Sequence, residues 1–385
     1  VDFRKQLYAP CRLDEDRVDL GAFLQHLLLF ERYIIESARL LEVPALVRAF
    51  GVDQVVAALN SGAIKLHHSA IALGYRGADR HLHYHLVHVS QAPKSANAER
   101  KSKGMFAKLP QLTLHQRTKL ANAIQRASVP TPVRLGQDAL RGWKKDLFEN
   151  PELVRRAVAY KAREVLGSEA PAFAMQVHLL DEESGLVRVE TNLPLPDAAK
   201  HQVVWSGMGA IGNTNFRIEK MRGFEAVCGF RDEERALADD KLTFLFDAVH
   251  DGTPAKQLAR VLEISGLPDL GEAAERGQID LIKLLEVRDS RECREFREWL
   301  RSLERIEDRE LRDRIGSLKT RLGGMLSGVG GRIARFLAGA VDPTAGIASG
   351  AGGFFLDQVF ARPGPIVFLN DQLPSVFTES SRIGE

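Results

Sequence analysis

Six of the eleven histidines fall between His67 and His88, the densest grouping of metal-ligating side chains in the chain. His81, His83 and His85 alternate, so on an extended strand they share one face at about 6.5–7 Å spacing. His67-His68 could join them from a neighbouring strand. Neutral imidazoles in such an array suit zinc or another divalent metal. The competing expectation is a solvated sheet face. No HExxH or His-x-x-x-His helix supports the metal, Asp79 is the only nearby acid, and no carboxylate pair with a following Glu-x-Lys marks a nuclease centre.

Gly207-Met-Gly209-Ala-Ile-Gly212 has the dinucleotide spacing, after the apolar run Val203-Val204-Trp205. That fingerprint works only where a buried strand turns tightly into a helix N-terminus, with an acid closing a second strand about 20 residues on. Here the stretch from Arg217 to Ala226 stays helical and no such strand precedes Asp232. A groove of small residues packed against another helix is the expectation, and no cofactor is predicted. The basic stretch Lys94, Arg100, Lys101, Lys103 and Lys108 reads as a solvated linker that could also touch phosphate or anionic lipid. No Gly-x-Ser-x-Gly occurs, and Cys228 sits in the apolar context of a buried thiol. No catalytic residue is assigned.

Ten of the 32 glycines fall between Gly323 and Gly353. Gly324 with Gly328, and Gly346 with Gly350, recur at the four-residue spacing that permits close helix–helix approach, and Asp342-Pro343 reads as the turn of a hairpin. The longest uncharged stretch, Pro343 to Leu356, has fourteen residues. That is about 21 Å of helix against a hydrocarbon core of about 30 Å, too short to cross a bilayer alone. In water each glycine costs a helix up to about 1 kcal/mol relative to alanine. Tight packing, a partner or lipid must offset that. The resulting expectation is a membrane-associating or self-associating hairpin, with Arg332 and Arg335 at headgroups and Phe354 and Phe355 on the apolar side. A soluble hairpin packed on the preceding helices is the bland alternative.

The elements that would carry these groups suggest an α+β, mostly helical fold. Leu27 to Phe30 and Tyr33 to Ile35 suit buried strands, followed by helices from Glu42 to Gly51 and from Gln54 to Asn60, the latter capped by Asp53. Ile64 to Leu66 and His81 to Val89 are strand-like. Helices are expected at Leu114 to Ala127, Asp138 to Phe148, Glu152 to Leu166, Asp197 to Phe224 and Asp232 to Val249. Phe173 to Thr191 carries a hairpin signal. Between Glu286 and Arg321, eleven basic and ten acidic residues are interleaved. Apolar positions Cys293, Phe296, Trp299 and Leu300, then Leu311, Ile315 and Leu318, form a narrow seam on two amphipathic helices that suits a protein partner or a second copy. The domains expected are a mixed α/β unit at 1–92, a helical unit with the hairpin 173–191 at 93–250, charged helices at 251–322, the glycine-rich hairpin at 323–362 and a tail at 363–385.

Length and charge bound the class. The chain has 385 residues, 53 Lys+Arg against 51 Asp+Glu, and a formal net charge of +2, the profile of a soluble multi-domain protein. That balance argues against wholesale nucleic-acid binding. Cys11, Cys228 and Cys293 stand far apart, so no disulfide framework is expected, and the first thirty residues show no secretory signal. The arrangement of charged helices, small-residue hairpin, Gly364-Pro365-Ile366-Val367-Phe368-Leu369 and Pro374-Ser375-Val376-Phe377, together with Leu40 to Gly62, resembles an uncharacterised bacterial protein family linked with defence-type gene neighbourhoods. The resemblance implies a bacterial, cytoplasmic protein and carries over no activity. The functional expectation is a non-enzymatic effector or scaffold, peripheral to the inner membrane, whose hairpin meets an anionic membrane surface or other copies. The alternatives are a metal-dependent enzyme or nucleic-acid-acting protein using the histidine strand, and a soluble interaction module.

Overall fold

The computed structural model describes residues 5–90 (apart from 12, 14–16, 38–39, 68–70 and 78–81), 103–229 (apart from 170–171 and 184), 249–250, 267–302 and 364–378, with Leu237, Leu258 and Val261. In chain order the elements are β1 (Gln6–Ala9), α1 (Leu20–Leu29), β2 (Arg32–Glu36), α2 (Glu42–Phe50), α3 (Val52–Asn60), β3 (Ile64–His67), β4 (Ile71–Gly77) and β5 (His83–Ser90). Then follow α4 (Leu114–Ala127), β6 (Ser128–Val129), α5 (Leu135–Glu149), α6 (Pro151–Leu166), β7 (Met175–Asp181), β8 (Leu186–Thr191) and α7 (Asp197–Phe224). The chain continues through β9 (Val227–Gly229), β10 (Val249–His250), α8 (Leu270–Glu275), α9 (Leu281–Arg288) and α10 (Arg291–Ser302) to helical turns over 364–376. The fold is α+β and mostly helical.

The local chemistry of the helix ends explains most of these boundaries. Thr113 and Gln116 form a reciprocal capping box at α4. Asn150 accepts from the Leu153 N–H, Pro151 opens α6, and Gly167 closes it in the left-handed region at φ +67°. One expectation fails here. Leu27 to Leu29 lie in helix α1 rather than a strand, because a short continuous apolar run carries no period to separate the two.

By compactness the chain divides into one unit of residues 1–19 and 30–252 and a second of 20–29 and 253–385. The boundary expected at 92 does not appear, because β5 pairs with β8 and joins both sides of it in one sheet. The first unit holds a six-stranded sheet in the order β10-β9-β1-β2-β3-β6, all of whose pairings are parallel. The chain moves outward from β1 through β2 and β3 to β6, then returns to the other side of β1 with β9 and β10. The order therefore reverses between β1 and β9. Two hairpins leave this path, β4–β5 before β6 and β7–β8 before β9, and they pair as an antiparallel sheet in the order β4-β5-β8-β7.

Tyr84, Leu86, Val187 and Val189 on the inner face of that antiparallel sheet pack with Trp143, Leu147, Val154, Val158, Val204, Met208 and Ile211 of α5, α6 and α7. Helix α7 has 28 residues, about 42 Å of rise. Its first two-thirds belong to this core, while its final turns carry Lys220 and Phe224 to the ring of Tyr8 on β1, with Phe216 against the Lys220 ammonium.

In the second unit, α1, α8, α9, α10 and 364–376 pack together. Phe296 stacks on Phe368 with ring centroids 4.5 Å apart and contacts Trp299 at 5.7 Å. Ser290 Oγ donates to Gln372, whose amide donates to Glu292. The backbone then bridges Ile279 to Phe377. Residues 364–376 are thus part of the fold rather than a tail, and the first part of the amphipathic seam, Cys293, Phe296, Trp299 and Leu300, is buried within this unit.

Candidate functional site

At or one residue before their carboxyl ends, four strands of the parallel sheet carry Cys228, Tyr8, Glu36 and His67. Tyr8 pairs in register with Cys228 on one side and Ile34 on the other, and Glu36 pairs with His67, so Cys228, Tyr8, Glu36 and His67 share one face. His67 is fully buried. Its Nδ1 lies 2.8 Å from the Tyr8 hydroxyl and its Nε2 lies 2.9 Å from Thr131 Oγ1, just beyond β6. From α7, the Lys220 ammonium reaches Glu36 at 2.5 Å and sits 4.4 Å from the Phe216 ring centroid and 5.1 Å from that of Tyr8. Phe224 stacks on Tyr8 at 5.0 Å and meets His67 edge-on at 4.6 Å.

Proton roles follow from the chemistry of the groups. Burial, the Glu36 charge and its hydrogen bond push the Tyr8 phenol far above its ordinary value, so it stays protonated. A carboxylate only accepts, so the Tyr8 hydroxyl donates to Glu36 and accepts from the His67 Nδ1–H. On its other side the ring bonds Thr131 through Nε2. Burial works to raise the Glu36 carboxyl, but the charge and hydrogen bond of Lys220, with the charges of Arg217 and His67, outweigh it and hold the group below the carboxylate range. Burial pushes the Cys228 thiol up to about 12, which makes it a poor nucleophile at neutral pH.

The arrangement is a connected chain, Lys220–Glu36–Tyr8–His67–Thr131, buried except at Glu36 and Thr131. The Lys220 side chain is 5% exposed and that of Glu36 30%. Arg217, one turn before Lys220, is half-buried and close enough for its charge to act on Tyr8, Glu36 and Cys228.

The residues singled out from sequence lie elsewhere. His83 and His85 lie on β5, half-buried, opposite Arg188 and Leu186 of β8. His67 belongs to the other sheet, and His81 lies outside the described residues. Among the described residues no group of three or more His, Cys, Asp or Glu is placed to hold a metal ion. Gly207 and Gly212 lie inside α7. A Cβ at Gly207 would come within 2.9 Å of the Val158 backbone, and one at Gly212 within 2.9 Å of the Trp143 ring. Trp143 donates its indole N–H to the Met208 carbonyl at 2.9 Å. The glycine pattern is the expected helix-packing groove.

Gly324, Gly328, Arg332, Arg335, Gly346, Gly350, Phe354 and Phe355 lie outside the described residues, as does most of the basic linker. No helix among the described residues is long and apolar enough to cross a membrane. Sequence reasoning missed Tyr8, Glu36, Thr131 and Lys220. The available signal was that each apolar run ends in a polar residue, Glu36 after Tyr33-Ile34-Ile35 and His67 after Ile64-Lys65-Leu66. Compared with known proteins, the chain matches no family model, no curated protein and no solved structure.

Proposed function

We propose that the first unit binds a small anionic metabolite at the carboxyl edge of its parallel sheet, beside the reversal of strand order between β1 and β9. Open parallel sheets take ligands in the crevice at such a reversal, outside the carboxyl ends of the strands. The observation that carries the reading is the chain from Lys220 to Thr131, drawn from β1, β2, β3, the segment after β6 and α7, and assembled at that edge. Charges are rarely buried without a return, and Lys220 with the half-buried Arg217, one turn apart on α7, brings positive charge to that edge, which favours an anion. Thermal unfolding of the full chain against a panel of phosphates and carboxylates tests this. The expected result is a ligand whose stabilisation is lost in Arg217→Met. The reading fails if no anion stabilises the protein, or if Arg217→Met responds like the wild type.

A second reading rests on composition, ten of 32 glycines within 31 residues. In it the protein is an effector or scaffold whose glycine-rich segment associates with an anionic membrane or with other copies. Flotation with phosphatidylglycerol vesicles is expected to carry the intact chain and not one lacking 323–360. An intact chain that never floats and stays monomeric overturns it.

A further inference from the structure

Thr131, His67 and Tyr8 form a line of three hydrogen-bonded side chains that anion binding leaves unused. Thr131 Oγ1 lies 2.9 Å from His67 Nε2, and His67 Nδ1 lies 2.8 Å from the Tyr8 hydroxyl. A hydroxyl within about 2.6–3.2 Å of an imidazole that a third group orients is the arrangement that activates a nucleophile. Tyr8 is the orienting group here. When the ring is neutral with its proton on Nδ1, held toward Tyr8, the bare Nε2 faces the Thr131 hydroxyl.

Burial is graded in the direction that such chemistry needs. His67 and Tyr8 are 0% and 1% exposed, whereas Thr131 is half-buried. The rings of Tyr8 and Phe224 stand edge-on to the imidazole at 5.6 and 4.6 Å and keep it from water. Of the three residues, only the one with the hydroxyl to be activated is open to solvent. Pro132 holds Thr131 in extended backbone, two residues beyond β6 at the carboxyl edge of the sheet. One turn of chain later α5 opens without a side-chain cap, and its Leu135 N–H bonds back to the Pro132 carbonyl at 3.1 Å. The N–H groups at that helix start suit a developing oxyanion.

We propose that Thr131 is the nucleophile of an acyl-transfer reaction on an ester of a small carboxylic acid, with His67 as general base and Tyr8 as a positioning residue. This goes beyond anion binding and makes no use of Arg217. Thr131 Oγ1 attacks the ester carbonyl as its proton passes to His67 Nε2. The Oγ1–C bond forms, the bond from carbon to the leaving oxygen breaks, and the alcohol departs with the proton from His67. Water then attacks acyl-Thr131, giving a proton to His67. The carboxylic acid leaves as the Oγ1–C bond breaks and Oγ1 takes that proton back. The imidazolium formed in each half is favoured by the Glu36 carboxylate beyond Tyr8.

The test is incubation of the full chain with p-nitrophenyl acetate, following nitrophenolate release and mapping acetyl groups by mass spectrometry. Acetyl on Thr131 is expected in the wild type. Thr131→Val and His67→Gln should each slow release by about a hundredfold or more, and Thr131→Ser should retain it. Tyr8→Phe should lower kcat by about tenfold with KM unchanged, the mark of positioning rather than of lost fold. Circular dichroism checks that each variant is folded, and the acetyl map of the wild type needs no variant. Acetyl found on lysines alone, or release as fast in folded Thr131→Val as in the wild type, overturns the proposal. Anion binding is scored separately by thermal unfolding with Arg217→Met, so either claim can fall while the other stands.

Discussion

Lys220 in the first unit and Arg297 in the second are both almost completely buried cations, 4% and 5% exposed, yet they are neutralised in different ways. Arg297 donates to the Leu28 carbonyl at the end of α1 and, at 2.8 Å, to the Arg288 carbonyl. Arg288 in turn donates to the Leu27 carbonyl at 3.0 Å. Two guanidiniums thus satisfy the orphan carbonyls of a helix C-terminus, where a positive charge is favoured. Arg297 donates to backbone, Arg288 also pairs with the Asp289 carboxylate at 2.7 Å, and the arrangement is explained by the helix it closes. Lys220 meets a carboxylate that is itself partly open, and its network closes no helix end. A buried charge spent on backbone marks architecture, whereas one spent on an open carboxylate marks a place where something else can bind.

Substitutions at the two sites should separate along that line. The largest effect is expected for Arg297→Met, which keeps the stem but takes the guanidinium donors from the Leu28 and Arg288 carbonyls. Denaturant unfolding should show a loss of about 2–4 kcal/mol, with ligand binding by the folded protein unchanged. Thr131→Val removes the hydroxyl from the fully buried His67 Nε2, and a loss of about 1–3 kcal/mol is expected for a buried polar atom that loses this partner.

Glu36→Gln should cost stability in a way that depends on pH. The folded carboxyl lies below its ordinary value, so the unfolded chain takes up the proton first on acidification. The stabilisation from Glu36 is present above the unfolded value, about 4.3, and is lost as pH falls through the lower folded one. The stability gap between wild type and Glu36→Gln should therefore be widest near neutrality and narrow in acid. A gap independent of pH would place Glu36 with the architectural charges. The smallest effect is expected for Lys119→Ala. Its 2.6 Å pair with Asp53 is exposed on both sides, so unfolding should shift by about 0–1 kcal/mol and fall with added salt.

The helices were legible where the chain writes its own ends, as Thr113 and Gln116 do for α4 and Asn150-Pro151 and Gly167 do for α6. The parallel sheet was not. β6 and β10 have two residues each and β9 three, too few for any period, and their partners lie far off in the chain. The site was hidden for the same reason. Glu36 and Lys220 are 184 residues apart in the chain, and nothing local to either announces the other. His67 did stand out, but in company with the histidines of β5, because sequence proximity could not show that β3 and β5 belong to different sheets.

The most direct test of the central claim is calorimetric titration of the most stabilising phosphate or carboxylate into three forms of the full chain, wild type, Arg217→Met and Arg297→Met. The expected outcome is binding by the wild type, equal affinity in folded Arg297→Met, and an affinity lower by about tenfold or more in Arg217→Met. Equal affinity in the wild type and Arg217→Met would contradict it, and the Lys220–Glu36 pair would then be as architectural as the arginines that close α1.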